Sequence, residues 1–246
     1  MDRLLYVAMT GAKQLMQEQA LVSHNLANVS TTGFRADLAR FEAAPIEGPG
    51  YPSRVNTVAS GLGFDHSQGT LVETGAVLDV AIDGAGWLAV QAPDGSEALT
   101  RGGSLRVNAV GLLETERGEL VLGDNGPLAV PPYTQIALAS DGTLSIVPQG
   151  QGPQTLAQVG RLRLVNPPPA DLEKRLDGLV RVKNGGAAEP DAGVKVASGF
   201  IETSNVGVAD ALVDMIEIAR QFEIAVKMMH TADENASRAT ALARIS

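Results

Sequence analysis

The chain has three histidines and no cysteine, so few of its side chains are suited to ligate a metal or attack a substrate. His24 and His230 lie near opposite ends of the sequence, where pairing of the two terminal segments could bring two imidazoles together. Two nitrogens are too few to specify a metal site. His66 stands apart from both. Asp79 and Asp83, four apart in a β-prone run, share one strand face, which is the geometry a carboxylate pair needs for acid–base hydrolysis. Such a pair is also what a solvated strand face looks like. The dipeptides Asp83-Gly84, Asp94-Gly95, Asn125-Gly126 and Asp141-Gly142 lack the ligand spacing of an EF-hand or a calcium-binding repeat and read as turns. No nucleophile elbow, P-loop, dinucleotide loop or H-E-x-x-H motif occurs. Without a thiol there is no disulfide, no thiolate nucleophile and no sulfur-ligated zinc. These residue types predict no catalytic centre, no metal site and no cofactor.

Composition narrows the partners. Lys and Arg number 19 against 28 Asp and Glu, a formal net charge of -9, so a phosphate backbone is repelled and nucleic acid is not an expected ligand. A hydrophobic content of 44% over 246 residues is enough for a folded core. The apolar run "LLYVAM" after Arg3 flows into an amphipathic pattern instead of ending at a small-residue cleavage site, so no cleaved signal peptide is expected. No run approaches the roughly 18 apolar residues that span a bilayer, and membrane insertion is not expected.

The elements fall into two kinds. Leu5, Ala8, Ala12, Leu15, Gln19, Val22 and Leu26 step alternately by three and four, which keeps one stripe of a helix facing a partner. Val208, Leu212, Met215, Ala219, Phe222, Val226 and Met229 step likewise, with Ala211, Ile218, Ala225 and Ala232 alongside. Between these helices the runs "VLDVAID", "WLAVQA", "SLRVNA", "ELVLG", "IALA", "TLSIV" and "GRLRLV" predict short antiparallel strands joined by the turns above. Pro45 to Gly75 has no clear periodicity and reads as an extended connector. "VNPPPADLEKRLDG" reads as a surface excursion, because its prolines exclude a central strand or a helix interior. The expected fold is α+β: terminal helices paired as a coiled coil around a central antiparallel β-rich domain. Its expected divisions are 1–41, helix and motif; 42–75, connector; 76–190, β domain; and 191–246, a return segment and helix packing with 1–30.

The stretch "SHNLANVSTTGFRADLARF" closes the first helix with residues that compete for backbone groups and with Gly33, free to turn left-handed. Within it, "NLANVSTTGFR" resembles the N-terminal signature of the axial proteins of the bacterial flagellum, the rod and hook family. "SGFIETSNVGVADALVDMIEIARQFE" is similar to that family's C-terminal signature, with Ser204, Asn205, Val206, Met215, Ile216, Arg220, Phe222 and Glu223 in matching positions. "LDVAIDGAGWLAVQAPDGSEALTRGGSLRVNAVGLL" resembles the β domain of the longer members, so the likeness covers nearly the whole chain. Gly207 and Ala211 depart from the usual Asn and acidic residue.

The length leaves the two mid-sized rod proteins, proximal and distal. "MDRLLYVAMTGAK", "APIEGPGYPSR" and "GWLAVQAPDGSEALTRGGSL" look most like the proximal kind. The resemblance implies a non-enzymatic rod subunit that transmits torque and leaves the cytoplasm by the flagellar type III export apparatus. It implies partners among copies of itself and the other rod proteins. It places the assembly interface on Leu5, Ala8, Ala12, Leu15, Val22 and Leu26, on Asn25, Asn28, Thr32, Gly33 and Phe34, and on Ser204, Asn205 and Val206. The same interface continues through Leu212, Met215, Ala219, Arg220, Phe222, Glu223, Val226 and Met229. A distal rod protein and, in another class, a secreted β-rich hydrolase are the alternatives.

Overall fold

The computed structural model of the chain describes residues 3–45, 55–152, 155–175 and 177–243. Contacts divide the chain into a helical unit, 1–28 with 37–63 and 206–246, and a β unit, 29–36 with 64–205. The chain runs through α1 (Arg3–Ala27), β1 (Asp37–Pro45), β2 (Val55–Phe64) and β3 (Leu71–Glu73). Next come β4 (Val80–Asp83), β5 (Trp87–Gln91), β6 (Glu97–Thr100), β7 (Leu105–Val107), β8 (Leu113–Thr115), β9 (Leu120–Gly123) and β10 (Gly126–Pro127). Then follow β11 (Tyr133–Leu138), β12 (Thr143–Pro148), β13 (Ala157–Arg161), β14 (Leu164–Val165), β15 (Leu172–Lys174) and β16 (Val180–Val182). The last elements are β17 (Lys195–Ser198), β18 (Phe200–Glu202) and α2 (Val208–Ala243).

In the helical unit α1 and α2 pack together. Ala8, Ala12 and Val22 are buried on α1, with Leu5, Leu15 and Leu26 half-buried in the same row. A cluster of Val22, Ala211 and Ile218, ringed by Leu15, Leu26, Val206 and Met215, sets the C-terminal part of α1 against the N-terminal part of α2. The helices therefore run antiparallel. On α2 the inward row is Ala211, Met215, Ile218, Phe222, Ala225, Met229 and Ala232. The row expected from sequence shares Met215, Phe222 and Met229 with it, but Val208, Leu212, Ala219 and Val226 are exposed. The small Ala211, Ala225 and Ala232 explain the choice, because helix axes approach most closely where side chains are short, and α1 offers Ala8 and Ala12 in return.

The segment expected as an unpatterned connector contains strands instead. β1 and β2 form a two-stranded sheet, and β3 pairs with β18. Residues 46–54 of that segment lie outside the described residues. Pairing of strands uses backbone groups that every residue carries, so a ribbon can form where the sequence shows no period.

In the β unit a nine-stranded sheet runs β15-β16-β6-β5-β9-β8-β7, with β10 on β9 and β14 on β5. A three-stranded sheet, β11-β12-β13, and the pairs β17-β4 and β18-β3 complete it, all antiparallel where paired. Alternation along β5 divides two cores: Leu88 and Val90 join Leu113, Val121, Leu144 and Leu162, while Trp87 and Ala89 join Leu99, Val165 and Val180. Gly95, Gly126 and Gly142 take positive φ in the hairpins β5-β6, β9-β10 and β11-β12. Asp83-Gly84 turns the chain without making a hairpin, because β4 pairs with β17 and β5 enters the large sheet. The proline excursion is corrected in part: Pro167 to Pro169 lie outside any strand, yet Leu172–Lys174 is an edge strand with Leu172 buried. The β unit also takes in 29–36, 64–75 and 191–205, beyond the expected limits of 76–190.

Candidate functional site

The N-terminal signature is divided between the units, and its second half enters the β unit as a plug. Gly33 has φ 67, and a Cβ there would fall 2.1 Å from the carbonyl carbon of Arg101, so the close approach and the conformation both demand glycine. The Gly33 amide donates to the Glu202 carbonyl at 2.7 Å. Phe34 is buried, with the Lys174 ammonium 3.8 Å from its ring centroid. Lys174 Nζ also donates to the Arg35 carbonyl at 2.7 Å. Arg35 and Glu202, 2% and 1% exposed, form an ion pair of 2.8 Å, and the buried Arg101 takes the other carboxylate oxygen at 2.8 Å. Burial pulls the Arg35 guanidinium below its ordinary pKa, with Glu202 opposing that pull.

Asn205 completes the plug from the C-terminal signature. Its Oδ1 accepts the Ala36 amide at 2.7 Å and its Nδ2 donates to the Ser67 carbonyl at 3.0 Å, while its own amide donates to the Phe34 carbonyl at 3.2 Å. In the helical unit Asn25 does the same for the next residue: Oδ1 accepts the Asp37 amide at 2.8 Å and Nδ2 donates to the Asp37 carbonyl at 2.9 Å. Each asparagine thus offers a donor and an acceptor in one plane, which is what a bare stretch of backbone requires. Asn28 closes α1 by donating Nδ2 to the His24 carbonyl at 2.9 Å. Gly33 lies beyond the helix end and turns the plug, a different task from capping α1.

Asn25, Gly33, Phe34 and Asn205, expected at an assembly interface, make these contacts within the chain, and Ser204 is buried. Thr32 is half-buried, with its carbonyl oxygen close to Gly102. Leu212, Ala219, Arg220, Glu223 and Val226 are exposed on α2. Arg101 and Glu202 were missed, although both lie in stretches that carry the family likeness; no spacing marks two distant charges as partners. His24 Nδ1 meets Asp37 at 2.8 Å and His230 Nδ1 meets Glu234 at 3.7 Å. The antiparallel helices separate the two histidines by about 28 Å of helix axis. Asp83 lies in register with Lys195, and Asp79 bridges to Ser104 through its backbone. Among the described residues no group of three metal-ligating side chains comes together, and no helix is long and apolar enough to cross a membrane.

Three families match in chain order. Residues 5–35 match the family described as Flagella basal body rod protein, 81–146 the Flagellar hook protein FlgE/F/G D1 domain, and 197–242 the Flagellar basal body rod FlgEFG protein C-terminal. The chain is 42% identical to the flagellar basal-body rod protein FlgF of Escherichia coli (strain K12) and 40% identical to FlgF of Salmonella typhimurium (strain LT2), covering 100% of both chains in each case. It is 35% identical to the rod protein FlgG of Buchnera aphidicola subsp. Acyrthosiphon pisum, over 94% of this chain and 95% of the relative. The chain belongs to the flagellar basal-body rod protein family. Within it the chain is of the FlgF type: a structural subunit of the proximal rod in the basal body, and not an enzyme. The distal and hydrolase alternatives give way to that assignment.

Proposed function

We propose that the subunit joins the rod through one apolar face of its helix pair, packing there against terminal helices of neighbouring copies and of other rod proteins. One observation carries this reading. Tyr6, Met9 and Met16 of α1 are about half exposed, as are Val208, Leu212 and Val226 of α2, and Ile216 is 70% exposed. At 100° per residue each set lies roughly 100° from its helix's inward row, in the same rotational sense. In an antiparallel pair that sense brings both sets out on the same side. Val213, Ile224 and Met228 are also exposed, on another side of α2; the side shared by both helices is the one suited to receive further helices, and continued packing of this kind gives a coiled-coil array stiff enough to transmit torque.

In this reading the inward rows and the Asn25 clamp shape the pair, and the exposed row makes the joint. The β unit, which lies outside the helix pair, selects the neighbour. Delivery by the flagellar type III export apparatus supplies the route past the inner membrane. The test is basal-body fractionation of cells carrying Leu212→Asp or Ile216→Asp. Both proteins are expected to fold, to be absent from isolated basal bodies and to abolish motility, because an unpaired carboxylate would be desolvated at each joint. Normal incorporation of both would overturn the reading.

A further inference from the structure

We infer that Arg35 and Arg101 form a carboxylate-binding socket whose resident ligand is the chain's own Glu202, and that seating this carboxylate closes the β unit around residues 29–36. The three residues are far apart in sequence and all nearly inaccessible, at 2%, 5% and 1% exposed. Both carboxylate oxygens are engaged: Oε1 by Arg35 Nη2 at 2.8 Å and the Gly69 amide at 2.9 Å, Oε2 by Arg101 Nη1 at 2.8 Å. Each guanidinium is also held by other groups. Arg101 donates to the carbonyls of Gly84 and Ile82 and lies 5.8 Å from the Trp87 ring centroid; Arg35 donates to the Ser67 carbonyl. The donors therefore stay aimed when the carboxylate is removed, which is what distinguishes a socket from a chance ion pair.

The Nε atoms of Arg35 and Arg101 are buried and have no hydrogen-bond partner among the described residues. Two guanidiniums thus face one carboxylate, with Asp65 the further acid near Arg35. The socket is cationic and will take a small monocarboxylate once Glu202 is gone. Closure follows from the backbone, since the Glu202 carbonyl accepts the Gly33 amide and Gly69 admits Thr203 only because it has no Cβ, which would stand 2.0 Å from the Thr203 oxygen.

The experiment uses the full chain with Glu202→Ala, compared with wild type in formate and in chloride at equal ionic strength. The expected result is a β-unit melting midpoint lowered by about 10 °C and exchange of the Gly33 and Gly69 amides faster by roughly tenfold or more. Formate is expected to restore at least half of both losses, chloride to restore neither, and the wild type to respond equally to the two salts. Destabilisation that formate leaves unchanged, rescue that chloride matches, or an equal formate gain in wild type overturns the socket. If Glu202→Ala fails to fold in either salt, Glu202→Gln decides: it fills the space without the charge, so a lowered midpoint with no response to formate supports the proposal and an unchanged midpoint overturns it.

Discussion

Gly33 and Gly75 have nearly the same backbone conformation, φ 67 and φ 75, and very different surroundings. A Cβ at Gly75 meets nothing within 4 Å, whereas at Gly33 it enters the Arg101 backbone. Gly75→Ala should cost about 1 kcal/mol for the left-handed conformation alone, and Gly33→Ala ~3 kcal/mol or more because backbone must move. Urea unfolding of the two variants measures the difference; equal costs would mean the plug is not seated as described. Acid response is also set residue by residue. Asp65, Asp94 and Asp141 each accept both the hydroxyl and the amide of a Ser or Thr two residues on, and those bonds hold their carboxyls below the usual range. The unfolded chain binds these protons more readily, so the stabilisation is complete above the ordinary carboxylate pKa of about 4 and is lost as pH falls through the lowered folded values. Stability of the β unit should therefore drop below about pH 4, and Asp65→Asn should flatten part of that slope. An unaltered acid limb in that variant would contradict the Ser67 contacts.

At the scale of elements, α2 carries two apolar rows with the same three–four step. Ile218 is 5% exposed and belongs to the row against α1; Ile216, two positions away, is 70% exposed. Ile218→Asp should cost the helical unit ~3 kcal/mol or more, while Ile216→Asp should change it by about 0.5 kcal/mol or less. Circular dichroism melting of the helices reads this directly, and similar losses in both would mean the rows are assigned wrongly. This pair of residues also shows what was legible. Both helices could be read, because long periodic patterns have one explanation, but the rotation of α2 could not. Met215, Phe222 and Met229 fit either row, and a single sequence does not say that Ala8 and Ala12 favour the alanine row. The strands with alternating burial, such as β12 with Leu144 and Ile146 inward, were readable for the same reason. The pairing of β1 with β2 follows no period in the sequence, and Arg35, Arg101 and Glu202 meet only after the chain has closed, so neither leaves a local pattern.

For the whole molecule, the two units differ in how much of their apolar surface the chain itself covers. The β unit buries Val90, Leu99, Leu113, Val121, Leu144 and Leu162 almost completely, on both faces of its large sheet. The helical unit has Val22, Ala211 and Ile218 at its centre and leaves Tyr6, Met9, Met16, Leu212 and Ile216 open to water. A helix in water is held by the apolar face it packs, and on the proposed reading neighbouring subunits add a second such face to the one α1 and α2 give each other. Hydrogen exchange should therefore divide the chain. In dilute monomer, amides of β5, β9 and β12 should exchange at rates set by global opening, while those of residues 5–26 and 208–229 exchange faster, through opening of the helix pair alone. In assembled rods the same helical amides should become as slow as the strands, because every subunit then supplies the cover its neighbour lacks. Strong protection of both helices in the dilute monomer would show that the pair is complete by itself, and the exposed row would then need a purpose other than assembly.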